Sequence, residues 1–168
     1  MIHQEYFSEF NFESIIIKKF VEMFKKSDIK IREAFMTHPV DRKYWNKEPL
    51  LSKIDQRFKI KNCGIIYMQP FTCYNWHTDV SRGVCINWLI DHTNSYTLFG
   101  RPKDDLNLDI IRVPYESNRF FLFNNQIPHS VTNFEGDRYL FTTEFEQEKD
   151  DLSYEEVYTW CKNEGLFI

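Results

Sequence analysis

Beyond residue 60 the apolar positions fall in short blocks divided by turn formers, which is the pattern of β-strands. Residues 61–71 make the first block, and Pro70 ends regular pairing there. Residues 83–91 alternate, with Val84, Ile86, Trp88 and Ile90 on one face and Cys85, Asn87 and Leu89 on the other. Further blocks occupy residues 95–99, 108–113, 119–124, 129–133 and 138–145. Gly100-Arg101-Pro102, Asn124-Asn125-Gln126 and the hairpin signal Glu135-Gly136-Asp137 punctuate them. Short strands at close spacing, with no helix between them, predict a mainly β fold built as an antiparallel sandwich or barrel.

The flanks read differently. In residues 15–26, Ile16, Phe20, Met23 and Phe24 recur at helical spacing, with Lys18, Lys19, Glu22, Lys25 and Lys26 on much of the other face. That is an amphipathic helix, and residues 29–37 continue helical until Pro39 stops them. Residues 40–59 are mixed. Ser153-Tyr154-Glu155-Glu156 is a helix start, and that last helix closes on Gly165. The expected organisation is a single domain, 1–168: helical N-terminal support in 1–60, a β core in 61–146 and a helical tail in 147–168.

Composition narrows the functional classes. With 21 Lys plus Arg against 25 Asp plus Glu, the net charge of −4 offers no electrostatic footprint for a nucleic acid, so none is expected as partner. Aromatics at 17%, sixteen of them Phe, favour a β-rich core. The four cysteines form no Cys-x-x-Cys pair, and residues 1–5 are polar and acidic, without the look of a secretory signal. A cytoplasmic protein with reduced thiols is the expectation. No apolar run approaches the length of a membrane span.

The chemistry concentrates in Asn75-Trp76-His77-Thr78-Asp79, in Pro128-His129-Ser130 and in Arg138. A short turn can aim His77 and Asp79 at one ion, and a distant strand can bring His129. Two imidazoles and one carboxylate on one face of an octahedron leave positions open for oxygen and a co-substrate, as non-haem Fe(II) oxygenases require. Arg138 adds a fixed fork suited to a carboxylate. His-x-Asp alone is common by chance; it is the combination that points to a metal. His3, His38 and His92 lack such company.

His77-Thr78-Asp79, His129 fifty positions after Asp79, and Arg138 together resemble the Fe(II)/2-oxoglutarate-dependent dioxygenase superfamily. Pro128-His129-Ser130-Val131-Thr132-Asn133 followed by Arg138-Tyr139-Leu140-Phe141 is most similar to its aspartyl/asparaginyl hydroxylase branch, with the prolyl hydroxylases next. The resemblance implies a double-stranded β-helix, a cupin-like jelly roll, with flanking N-terminal helices and a short C-terminal helix. It implies Fe(II) held by His77, Asp79 and His129. It also implies that 2-oxoglutarate chelates the iron while its far carboxylate pairs with Arg138, and that O2 takes the last position. Tyr67, ten positions before His77, stands near where relatives place a Tyr that hydrogen-bonds the co-substrate; otherwise it is a packed aromatic. The sequence departs from the pattern at Leu140, where many relatives carry a Ser that shares the co-substrate carboxylate, so another hydroxyl must serve. The interval from His129 to Arg138 is one residue shorter than in the hydroxylase-like relatives. Asp79 is intact, unlike the small residue of halogenase-like relatives.

Asn87, polar within an apolar strand, either faces a cavity, where it joins the co-substrate residues, or meets a backbone partner. Asn133 either matches the hydroxylase-like pattern or forms a turn. Arg82 and Arg119 are candidates to hold a substrate carboxylate, and Trp76 and Tyr74 either gate the pocket or pack. The expected function is hydroxylation of an amino acid or of a peptide or protein side chain. The alternatives are a non-catalytic cupin-like protein that binds a metal or small acid, and a purely structural β-sandwich.

Overall fold

The computed structural model describes residues 4–14, 19, 22, 35–90, 94–102, 107–115 and 119–168. In chain order the elements are β1 (Phe7–Glu13), β2 (Phe35–Pro39), α1 (Arg42–Trp45), α2 (Pro49–Phe58), β3 (Ile60–Met68), β4 (Thr72–His77), β5 (Val84–Leu89), β6 (Asn94–Pro102), β7 (Leu108–Arg112), β8 (Arg119–Asn124), β9 (His129–Glu135), β10 (Arg138–Phe145) and α3 (Tyr154–Asn163). A six-stranded sheet runs β1-β8-β5-β10-β3-β2 and a four-stranded sheet β4-β9-β6-β7. All pairings are antiparallel. The fold is mainly β, the double-stranded β-helix. No helix among the described residues is long and apolar enough to cross a membrane.

The alternation in β5 shows how the large sheet is buried on both faces. Val84, Ile86 and Trp88 join Ile65, Tyr67, Phe120, Leu122 and Phe141 in one apolar cluster with Leu51, Ile54 and Phe58 of α2 and Val157 and Cys161 of α3. Phe58 meets Trp160 edge-on at 5.3 Å, tying the two helices together. On the other side Cys85 and Phe121 pack with Phe7, Phe99, Phe123 and Ile127, which closes one end of the space between the sheets. The rest of that inner space remains a cavity. α3 starts as its sequence predicts, Ser153 accepting from the backbone N–H of Glu156 at 3.2 Å, and Gly165 follows it at φ +64°.

The N-terminal third corrects the expectation of purely helical support. α1 and α2 are helices, but Phe7–Glu13 and Phe35–Pro39 are strands that edge the large sheet. In β1, Phe7 serves the inner cluster while Phe10 and Phe12 serve the outer one, so its apolar residues are split between faces and show no single stripe. β2 carries Pro39, which the ladder tolerates because β2 is an outermost strand. The expected helix over 15–26 lies outside the described residues except for Lys19 and Glu22, both helical. Of the stretch 29–37 expected to continue it, only the part in β2 is described.

Phe141 is fully buried at the middle of the outer cluster, whereas Ile110 on β7 is 56% exposed. Phe141→Ala should cost about 3–5 kcal/mol, and Ile110→Thr about 0.5 kcal/mol or less. Denaturant unfolding of the two variants checks the contrast.

Candidate metal centre

His77 is the last residue of β4 and His129 the first of β9, and the two are register partners. The register shifts between Tyr74 and His77, an irregularity that brings both side chains to the cavity. Their rings meet edge to face at 4.2 Å, and the rings of His77 and His129 are 4.3 Å apart. Asp79 follows just past the strand end. Its Oδ1 is 3.6 Å from Nε2 of His77 and 3.8 Å from Nε2 of His129, and the three ligand atoms lie within 4.8 Å of one another. That spacing suits one divalent ion.

The surroundings orient the three side chains. Nδ1 of His77 lies 2.7 Å from the carbonyl of Asn75 and Nδ1 of His129 lies 2.9 Å from that of Ile127. A carbonyl only accepts, so each Nδ1 carries the proton and each Nε2 presents a lone pair. Burial holds His129 below the usual imidazole range, which keeps it in the neutral form a metal needs. Asp79 is divided in the same way: its Oδ2 accepts from Nε and Nη2 of Arg82 at 2.7 and 2.6 Å and from Nδ2 of Asn125 at 2.8 Å. Oδ1 is left toward the histidines. The β8–β9 turn clasps the loop as well, because Asp79 N–H donates to Asn125 O, and Gln126 Nε2 donates to the carbonyls of Asp79 and Arg82.

The triad opens on a cavity of about 580 Å³, within the usual range of small-molecule sites. Arg138 closes its inner end at 2% exposure. Its Nη2 donates to Thr97 Oγ1 at 3.0 Å, its Nε has no partner, and no carboxylate among the described residues pairs with it. Burial therefore pulls it below the ordinary guanidinium range. Tyr115, from the loop after β7, lies beside it with its hydroxyl buried and unpartnered. Asn87 lines the same space, its Oδ1 3.3 Å from the Cys85 thiol.

The other expected site residues lie elsewhere. Tyr67 is one residue out of phase: Ile66 and Met68 face the cavity, while Tyr67 joins the outer cluster and donates its hydroxyl to Asp137 at 2.8 Å. Arg82 does line the cavity, but its guanidinium is committed to Asp79 and, through Nη1, to Thr142 Oγ1 at 3.3 Å. Arg119, at the far end of β8 from Asn124, pairs with Glu9 at 3.3 Å and does not reach the cavity. Trp76 lies against Gly100, where a Cβ would stand 2.9 Å from its ring, and is absent from the cavity wall. Asn133 is a brace, its Nδ2 donating to the carbonyls of Met68, Gln69 and Gly136. Sequence reasoning missed Thr97, Tyr115, Asn125 and Thr142. Thr97 and Thr142 are polar at inward-facing strand positions, a signal that was legible; Tyr115 sits in a loop and gave none.

No protein-family model matches the sequence, and no curated protein matches it. Similarity of structure is extensive. A prolyl 4-hydroxylase from Pseudomonas putida superposes with a TM-score of 0.63 at 13% identity, covering 86% of this chain and 95% of that one. This is the fold of the Fe(II)/2-oxoglutarate oxygenases. A viral collagen prolyl hydroxylase from Paramecium bursaria Chlorella virus-1, in its 2-oxoglutarate complex, matches at TM-score 0.58 and 8% identity over 82% and 93% of the two chains. HygX from Streptomyces hygroscopicus, with nickel, 2-oxoglutarate and hygromycin B bound, matches at 0.58 and 12% over 84% and 83%.

Removing a group that orients a ligand weakens a metal site about 10–100-fold. Asn125→Ala should do so here with the fold intact, as Mn(II) titration would show. Tyr67→Phe should leave Mn(II) affinity unchanged.

Proposed function

We propose that the chain is an Fe(II)- and 2-oxoglutarate-dependent oxygenase that hydroxylates an amino acid or a peptide-like substrate. The observation that carries this reading is Arg138, a buried guanidinium without a carboxylate partner among the described residues, in the same cavity as a His-Asp-His triad. An unpaired buried charge is costly, and a dicarboxylate ligand relieves it. Thr97 and Tyr115 stand beside Arg138 as the hydroxyls that the Leu140 departure calls for.

His77, Asp79 and His129 would hold Fe(II), which with 2-oxoglutarate and O2 supplies oxidative decarboxylation coupled to C–H hydroxylation. The chain contributes orientation and exclusion of water. Arg138 binds the far carboxylate at the closed end, so the 2-oxo acid end points back to the triad. Met68, Val131 and Leu140 give that end apolar walls, which strengthens the ion pair. Arg82 and Asn125 hold one Asp79 oxygen, which fixes the carboxylate's orientation and leaves the other for the metal. The open side, past Asp79, admits substrate.

His77→Ala should abolish succinate formation from 2-oxoglutarate while circular dichroism stays native; full turnover in that variant would overturn the metal assignment. Arg138→Met should weaken 2-oxoglutarate binding about 100-fold or more, as charge-assisted hydrogen bonds are lost. Its melting temperature should hold or rise, because a buried charge is replaced by an apolar side chain of similar length. Calorimetry with Mn(II) and a thermal melt read the two effects separately.

A further inference from the structure

β10 lays out the axis of the cavity. Arg138, Leu140, Thr142 and Glu144 all line it, and their register partners on β3 are Met68, Ile66, Gly64 and Asn62. Arg82 ties the triad to this strand, bonding Asp79 through Nε and the Thr142 hydroxyl through Nη1. At a strand rise of about 3.4 Å per residue, Arg138 lies about 14 Å to one side of Thr142 and Glu144 about 7 Å to the other. Co-substrate, anchored at Arg138, occupies the first arm. The second arm, bounded by Glu144, Asn62 and Thr37, is left for substrate.

The charges in that arm are one-sided. Among the described lining residues its sole cation is Arg82, which is already spent on Asp79 and Thr142. Its remaining ionised group outside the metal triad is Glu144. Lys61 takes Oε1 of Glu144 at 2.9 Å from a half-exposed position, and Asn62 Nδ2 reaches Oε2 at 3.3 Å. An exposed ion pair of this kind contributes little, and a carboxylate has room for further donors. A substrate carboxylate placed here would meet a like charge. A cationic group would be matched.

We propose that this arm selects a substrate bearing a protonated amine, bound by the Glu144 carboxylate on the side of Thr142 away from Arg138. The inference rests on the reading of the triad and Arg138 as a 2-oxoglutarate centre. It replaces the expectation that Arg82 or Arg119 holds a substrate carboxylate.

The test measures succinate formation by the Fe(II)-loaded protein with 2-oxoglutarate and a panel of probes: lysine amide, 1,5-diaminopentane and glucosamine, their N-acetylated counterparts, and the dicarboxylate glutarate. Amine-bearing probes should stimulate turnover, and acetylation should reduce that stimulation at least about tenfold, the loss expected for one charge-assisted hydrogen bond. Glu144→Gln should reduce it similarly while 2-oxoglutarate affinity stays at the wild-type value, which also shows that the variant is folded. Lys61→Gln should keep the stimulation, whereas a purely structural Lys61–Glu144 pair would make both variants fail alike. Equal stimulation by acetylated probes or glutarate, an unaffected Glu144→Gln variant, or no stimulation by any amine would overturn the proposal. If the anaerobic protein with Fe(II) and 2-oxoglutarate develops no visible charge-transfer band, the underlying co-substrate reading fails instead.

Discussion

A guanidinium at 2% exposure with no carboxylate partner among the described residues is the constraint around which the inner half of this molecule is built. Taking a charge out of water costs several kcal/mol unless another charge answers it, and here the chain answers with a single hydroxyl, that of Thr97. On the proposed reading, charge balance comes from a ligand. The same logic runs outward along the cavity: Asp79 is neutralised on one oxygen by Arg82 and left available on the other, and each histidine gives its Nδ1–H to a backbone carbonyl, which turns Nε2 inward. On the proposed reading, a divalent ion and a dicarboxylate would complete both deficits.

Such a polar interior is stable only because the apolar burial is done elsewhere. The large sheet turns Trp88, Phe120 and Phe141 to the helices and reserves Asn87, Arg138 and Thr142 for the cavity. The phenylalanine cluster around Phe99 and Phe123 closes the other end of the inter-sheet space. Phe123 touches both regimes, packing edge-on to His129 at 5.1 Å. Core and centre thus share a wall.

This division explains what was legible in the sequence. β5, β8 and β10 were readable because one face is uniformly apolar, so period-two alternation survives. β1 was not, because its phenylalanines divide between two clusters, and β4 was not read as a strand because its residues are mostly exposed and its register shifts just before His77. That His77, Asp79, His129 and Arg138 share one cavity was recognisable from residue type and spacing. Tyr67 failed by one position, which in a strand reverses the face. Arg82 and Arg119 failed because sequence shows that a cation is present but not which carboxylate has already claimed it; Asp79 and Glu9 had. Thr97, Tyr115 and Asn125 arrive from β6, from the loop after β7 and from the β8–β9 turn, and only three-dimensional closure brings them together.

The central claim is that Arg138 awaits the far carboxylate of a 2-oxo diacid. Anaerobic titration of the Fe(II)-loaded protein with 2-oxoglutarate and with 2-oxobutyrate, which keeps the chelating end and lacks the second carboxylate, tests it most directly through the charge-transfer absorption of the chelate. Half-saturation with 2-oxoglutarate should come at a concentration about 100-fold lower than with 2-oxobutyrate, the advantage expected when a buried guanidinium gains its carboxylate. Equal half-saturation by the two acids would contradict the account.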